Sequence, residues 1–343
     1  MKKSYFVIAT ITMSLLSVLI INCSVKVDGA MAAEKVYNWR LQAYDAGPTP
    51  GFTALEQFAN EVNEKSKGSL NIKVFRAGTF GYSGFELHRI VSKGLIELAE
   101  PLDLSLTLED PVAGINLLPF LFSNNNEVLK GWPVSKKHIF AYLEKINCHP
   151  LLAYERPMNY LYVKGKKVKT IEDWKGLKLR TWSAMTSALI EALGGTALQI
   201  PYSEVYTAMA SGIIQGNIAS PQSATDQKCY EVANYYCLWP ISPIVYALVV
   251  NKPLYESLPK DLRNILDEAS KKYEPVLWTN NFHNVDDAIK GLVQKGMELV
   301  PVEQGEIKKA QEIMGRTYWQ KWSKETGERG RIALEEMNKA IGR

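Results

Sequence analysis

The feature that most constrains this chain is a hydrophobic pattern that changes period repeatedly near its start. Residues 37–44 alternate as a strand does, and Asp45-Ala46-Gly47-Pro48-Thr49-Pro50-Gly51 then breaks the alternation. From Phe52 to Lys65 the apolar residues Phe52, Leu55, Phe58, Ala59 and Val62 recur at helical spacing. Gly68 closes that helix, Leu70 to Phe75 reads as a second strand, and Gly78-Thr79-Phe80-Gly81-Tyr82-Ser83-Gly84 leads into a helix over Phe85 to Lys93. Strands separated by helices imply crossovers, so the order predicts a parallel sheet covered by helices. Ligands of such sheets gather at the loops beyond the strands' C-terminal ends, which makes Tyr44, Phe80 and Tyr82 candidate ligand contacts. Packing beneath the loops is the alternative role for each ring.

The pattern restarts after Cys148. Leu151 to Tyr154, Tyr160 to Val163 and Leu177 to Trp182 read as strands, Ile171 to Trp174 as a helical turn, and Ala184 to Leu193 as a helix. The alternation continues through Ala197 to Ile200, a helix over Glu204 to Ala210, then Ile213 to Ile218 and Tyr246 to Val250. From Lys260 onward the chain reads as helical, with Leu262, Ile265, Leu266 and Ala269 on one buried face, and Leu292 to Val302 offers a last strand before two helices. The expectation is an α/β chain of two lobes, and 343 residues suffice for two cores.

The N-terminus bears on the compartment. Lys2 and Lys3 precede an uncharged run from Ser4 to Ile21, and Ala30-Met31-Ala32 has the small-x-small pattern of a signal-peptidase site. Residues 1–32 are therefore expected to be a secretory signal peptide cleaved near Ala32, so that the mature chain is exported. An uncleaved membrane anchor and lipidation at Cys23 are the alternatives, although Asn22 stands where a lipobox wants a small residue. The mature chain then keeps Cys148, Cys229 and Cys237, of which Cys229 and Cys237 could bridge a loop or stay as buried thiols.

Several chemistries lack their residues. A net charge of +4 spread along the chain gives no nucleic-acid footprint. His88, His138, His149 and His283 are scattered without metal-ligand spacing and are expected at the surface or at caps, so neither a metal nor a cofactor is expected. Ser83 lies in Gly81-Tyr82-Ser83-Gly84-Phe85, which is not a nucleophile elbow; neither GxxxxGK[ST] nor GxGxxG occurs. No catalytic residue is assigned. What stands out is Arg180, at the end of a strand and just before Thr181-Trp182-Ser183 and a helix start. A guanidinium placed there can take a carboxylate with two parallel N–H bonds while helix amides add donors. A surface ion pair is the plainer role for such an arginine.

Around Arg180 the segment Glu172-Asp173-Trp174-Lys175-Gly176-Leu177-Lys178-Leu179-Arg180 resembles the "DLKGLKIR" signature of TRAP-transporter solute-binding proteins, the DctP family. Ile200-Pro201-Tyr202-Ser203-Glu204-Val205-Tyr206 is similar to "P-x-SEVY", Ser211-Gly212-Ile213-Ile214-Gln215-Gly216 to "G-V-V-D-G", and Leu258-Pro259-Lys260-Asp261-Leu262 to "LP-x-DL". The motifs occur in order across the mature chain. The resemblance implies a two-lobed periplasmic binding protein fold with mixed sheets, an interlobe cleft and hinge, and C-terminal helices. Lobe I would comprise 33–155 plus about 246–290, and lobe II 156–245 plus about 291–343. The implied function is capture of a monocarboxylate or related organic acid and its delivery to the small and large TRAP permease subunits. A ligand sensor read by a receptor and a secreted enzyme on the same fold are the alternatives.

Residue by residue, the family's substrate-carboxylate arginine falls on Arg180, and the aromatic position before "SEVY" falls on Tyr202. The residue three after the arginine is Ser183, with Trp182 beside it as a ring that could stack on ligand. Core packing for Tyr202 and an N-cap role for Ser183 remain open. Where many relatives carry "DGQEN" this chain has Gln215-Gly216-Asn217-Ile218-Ala219, so an alanine replaces their ligand-binding asparagine. Asn217, Ser220 and Gln222 are the nearby substitutes, with loop and cap roles as the alternative. Arg156 and Asn159 fall where several relatives place a second polar contact.

Overall fold

The structure, a computed structural model, describes residues 35–343 apart from Ala46 and Pro48. The signal-peptide expectation for residues 1–32 lies outside the described residues. The strands are β1 (Tyr37–Gln42), β2 (Leu70–Phe75), β3 (Leu98–Ala99), β4 (Cys148–Val163), β5 (Lys178–Thr181), β6 (Thr196–Gln199), β7 (Gly216–Ala219), β8 (Tyr235–Asn251) and β9 (Glu298–Val300). They form one mixed sheet in the order β2-β1-β3-β8-β4-β7-β5-β6, with β9 beside β8.

Two parallel wings flank an antiparallel centre. In the first wing β1 runs parallel to β2 and β3, and in the second β5 runs parallel to β6 and β7, as the strand–helix alternation predicts. Between them the long strands β4 and β8 pair antiparallel from Cys148↔Asn251 to Val163↔Tyr235. Both are longer than expected: Leu151 to Tyr154 and Tyr160 to Val163 are parts of β4, and Tyr246 to Val250 is only the end of β8; Pro150, Pro157, Pro240 and Pro243 are residues that argue against a continuous strand. The chain tolerates the prolines in β4 through register shifts between Pro150 and Leu152, Arg156 and Asn159, and Asn159 and Leu161. The last two of these shifts lie where the first wing gives way to the second.

Both faces of each wing are covered by helices. On one face of the first wing the helix Pro50–Lys65 and the start of the helix Lys260–Gln294 pack on Leu41, Ile72, Tyr154 and Leu248. On the other face Leu87, Ile139 and Leu143 pack on Ala99, Ala153 and Val249. The second wing buries Leu161, Leu179 and Ile218 against Leu189, Ala310 and Met314, and on its opposite face Tyr162 and Tyr236 against Val205, Met209 and Leu292. The final helix, Gln320–Ile341, places Trp322, Ala333 and Met337 on Val112, Ile115 and Val128. None of the helices among the described residues is long and apolar enough to cross a membrane.

Two side-chain expectations are decided by this layering. Cys148, Cys229 and Cys237 are buried free thiols. Cys237 belongs to one face of the second wing and Cys229 to the other, so the sheet itself separates the pair that could have bridged. His88, expected at the surface or at a cap, is instead fully buried and lies 3.3 Å from both Ser105 Oγ and Glu109 Oε1. Its helix, Leu87–Ser92, turns Leu87, His88 and Val91 inward together.

Candidate functional site

Arg180 sits where β5 ends, between its parallel neighbours β6 and β7, in a strand whose Leu179, Arg180 and Thr181 are all buried. Its side chain leaves only 7% of the residue exposed. Nε donates to the Ile200 carbonyl at 3.0 Å, and the guanidinium lies 5.1 Å from the Trp182 ring centroid. No carboxylate among the described residues forms an ion pair with it, although ion pairs elsewhere in the chain are numerous. Burial pulls its pKa below the usual arginine value, opposed by the electron-rich phenols of Tyr162, Tyr202 and Tyr44. A buried cation without a counter-ion is costly to hold, and an incoming anion relieves that cost.

The loop after Arg180 is shaped by local hydrogen bonds. Ser183 is the N-cap of the helix Ala184–Ala192: its hydroxyl accepts from the Thr186 amide at 3.2 Å and lies 3.0 Å from Thr186 Oγ1. That is the geometry of the cap role. Tyr202, on a single 3-10 turn, is 53% exposed and so is not core packing. It borders an open groove with Tyr206, Asp226 and Gln227.

Tyr44 connects this wall to a second one built from the first wing. Its ring meets Tyr246 edge-on at 4.9 Å, and Tyr246 stacks on Tyr154 at 5.8 Å. Arg156 lies 4.4 Å from the Tyr246 centroid and is ion-paired, its Nη2 donating to both oxygens of Asp45 at 2.6 Å. Burial works against the charge of Arg156, but Tyr246 and Asp45 outweigh it and hold its pKa well above the usual value. Glu100, 1% exposed, accepts from the Tyr154 hydroxyl and, at 2.9 Å, from the Tyr44 amide. Burial, and then the charge of Asp45, push the Glu100 carboxyl up to about 7. The Tyr44 phenol is raised by burial and feels both Arg156 and Arg180, so it stands within electrostatic reach of the two guanidiniums.

The other residues singled out in the sequence each have protein partners of their own. Phe80 packs on Phe75 at 4.9 Å with Arg40 over its ring, and the Tyr82 carbonyl accepts from Gln42. Asn217 is buried and donates to the Tyr162 hydroxyl at 2.9 Å, in a network with Gln227. Ser220 caps the helix Pro221–Asp226, accepting from the Ser223 amide at 3.3 Å. Asn159 ties the β4 bulge to the Ser242 carbonyl at 2.9 Å, and with Trp182, Ser183 and Ser242 it borders a narrow crevice. Asp45, Glu100, Tyr154 and Tyr246 escaped the sequence reading. For Asp45 a signal existed, since it follows Tyr44 at the same strand end. For the others none did, because their partners are distant in sequence.

Among the described residues no group of three or more His, Cys, Asp or Glu side chains could hold a metal ion. The site therefore consists of one unpaired buried guanidinium, aromatic walls, and an ion-paired arginine on the other wing. Such an arrangement can bind and orient an anion.

Comparison with known proteins agrees. Residues 44–325 match the model of bacterial extracellular solute-binding protein family 7, DctP. A solute-binding protein of Chromohalobacter salexigens is 28% identical over 70% of this chain and 73% of its own length. The C4-dicarboxylate-binding protein DctB of Bacillus subtilis is 28% identical over 68% of this chain and 67% of its own length. Among solved structures, DctP7 of Bordetella pertussis, an extracytoplasmic solute receptor binding pyroglutamic acid, superposes with a TM-score of 0.78 at 26% identity, covering 90% of this chain and all of that one. With a match spanning most of its length and a two-winged fold shared with solved TRAP receptors, this chain belongs to the DctP family of bacterial extracellular solute-binding proteins.

Proposed function

We propose that the mature protein is a periplasmic receptor that closes on an organic acid through Arg180 and presents it to TRAP permease subunits. The observation that carries this reading is the guanidinium of Arg180, nine-tenths buried with no carboxylate partner among the described residues. A carboxylate would supply the missing counter-charge through two parallel hydrogen bonds, with Trp182 and Tyr202 flanking its body. Ser183 would contribute through its position at the helix start. Tyr44 and Arg156 would meet the ligand from the other wing. Lobe I is taken as 33–155 with about 246–290, lobe II as 156–245 with about 291–343, and the β4 bulges between Arg156 and Leu161 as the hinge. Because Arg180 is relieved only when an anion is enclosed, ligand binding would favour the closed form. The receptor named for pyroglutamic acid supports an organic acid, and family membership supports export and delivery to a permease. Thermal-shift titration with pyroglutamate, D-glucuronate and orotate, each beside its amide, tests the reading. A bound acid stabilises by RT ln(1 + [L]/Kd), about 2.7 kcal/mol at a hundredfold excess over Kd. At least one acid should shift the transition and its amide should not; equal shifts by acid and amide would contradict it.

A further inference from the structure

We propose that Asp45 sets the charge class of the ligand, restricting the cleft to monoanions by neutralising Arg156. The inference rests on the carboxylate reading of Arg180 and goes on to count charges on the two walls. On the second wing Arg180 stands alone, with its Nε held by the Ile200 carbonyl and its face over Trp182. On the first wing Arg156 would be a second anion site if it were free. It is not free: both oxygens of Asp45 lie 2.6 Å from its Nη2, and the pair is largely enclosed, with side-chain exposures of 15% and 11%. Asp45 is itself anchored. Thr49 Oγ1 donates to its Oδ2 at 2.5 Å, and Thr49 is the N-cap of the helix Pro50–Lys65. The Thr49 hydroxyl thus holds the Asp45 carboxylate beside Arg156.

Among the described residues, the remaining charges near this wall do not supply a second cation. Glu100 lies behind Tyr154 and Tyr44 and adds either nothing or a further negative charge. Arg76 lies on the loop whose Ala77 amide donates to the Asp45 carbonyl; it is exposed, with its guanidinium 5.9 Å from the Phe52 centroid, and solvent screens it. The first wall is therefore neutral or negative, and the cleft holds one uncompensated positive charge. A ligand carrying one carboxylate and an uncharged polar or planar end satisfies it. A second carboxylate would have to displace Asp45 or lie beside it without a partner, and like-charge juxtaposition in an enclosed site is strongly unfavourable. This separates the chain from a dicarboxylate receptor by its residues.

The test compares acids that differ only in the second charge: succinate with succinamate, glutarate with glutaramate, and phthalate with phthalamate. Isothermal titration of the full mature chain should show the monoanion of the best-binding pair at least tenfold tighter than its dianion. In Asp45→Asn, Arg156 is released, and the dianion should gain at least tenfold while the preference shrinks or reverses. In Arg156→Gln, Asp45 is left without its cation, and both acids should weaken. The two variants break the same ion pair from opposite ends, so a merely structural pair would move affinity the same way in both. Wild type binding the dianion as tightly as the monoanion would overturn the inference without needing any variant to fold, and leave the Arg180 reading standing. Affinities that fall together in both variants would also overturn it. Binding of no acid of any kind by the wild type would remove the carboxylate reading and this inference with it.

Discussion

At the scale of single residues, the decisive contrast is between two buried arginines. Arg156 has its carboxylate, and Arg180 does not. Removing one partner of a buried pair is destabilising, whereas removing a charge that never had a partner takes away a desolvation cost. Arg180→Met should therefore raise the melting temperature of the ligand-free protein while abolishing acid binding, and scanning calorimetry without ligand checks this. A fall in stability would mean that Arg180 is structural. Arg180 was legible chiefly because the family motif falls on it; its place at a strand end before a helix start suits a carboxylate, but a surface ion pair would suit it equally. The Asp45–Arg156 pair was not legible, since its members are 111 positions apart and only the fold brings them together. Ser183 shows the opposite case: its sequence position suits both a cap and a ligand contact, and the hydrogen bond to Thr186 shows the cap.

Among the elements, the close approach of β4, β7 and β5 holds Arg180 in place. Gly216 begins β7, and a Cβ added there would come within 2.5 Å of the Tyr162 carbonyl and 3.0 Å of Leu179 Cδ2. The first obstacle is backbone and cannot rotate away. Gly216→Ala should cost about 1–3 kcal/mol, the range for overpacking, and should weaken acid binding because Leu179 precedes Arg180. Urea unfolding together with an acid titration measures both, and unchanged values would mean that the strands have room to part. Some short elements were legible at their observed ends: Leu70–Phe75 matches residue for residue, and Ile171–Trp174 is the expected helical turn; the strand expected over Leu292 to Val302 is only Glu298–Val300, its start belonging to the helix Lys260–Gln294, and Leu98–Ala99 was not read. The long central strands were not, because proline signals an interruption and nothing local announces that bulges will absorb it.

For the whole molecule, buried carboxyls make stability depend on pH. Burial pushes Glu100 and Asp103 each up to about 7, and Glu155, whose two oxygens have no hydrogen-bond partner, well above its ordinary value. The folded state thus holds protons on these groups that the unfolded chain has released above about pH 4.5, so their contribution to stability is fully present below about pH 4.5 and is lost as pH rises through about 7. For Glu100 the loss is of order 3 kcal/mol across that window. Urea midpoints should fall from pH 5 to pH 8, and Glu155→Gln should be the more stable protein at pH 8. A midpoint that rises over the same interval would contradict the sign.

The central claim is that a ligand carboxylate completes the charge of Arg180. Its most direct test is the acid-dependent thermal shift measured side by side in wild type and in folded Arg180→Ala, with the tightest acid of the series. The account predicts that the shift is lost, corresponding to about 2–5 kcal/mol of binding, the range for truncating one member of a buried charge pair. An Arg180→Ala protein that melts cooperatively and binds the acid with wild-type affinity would contradict it.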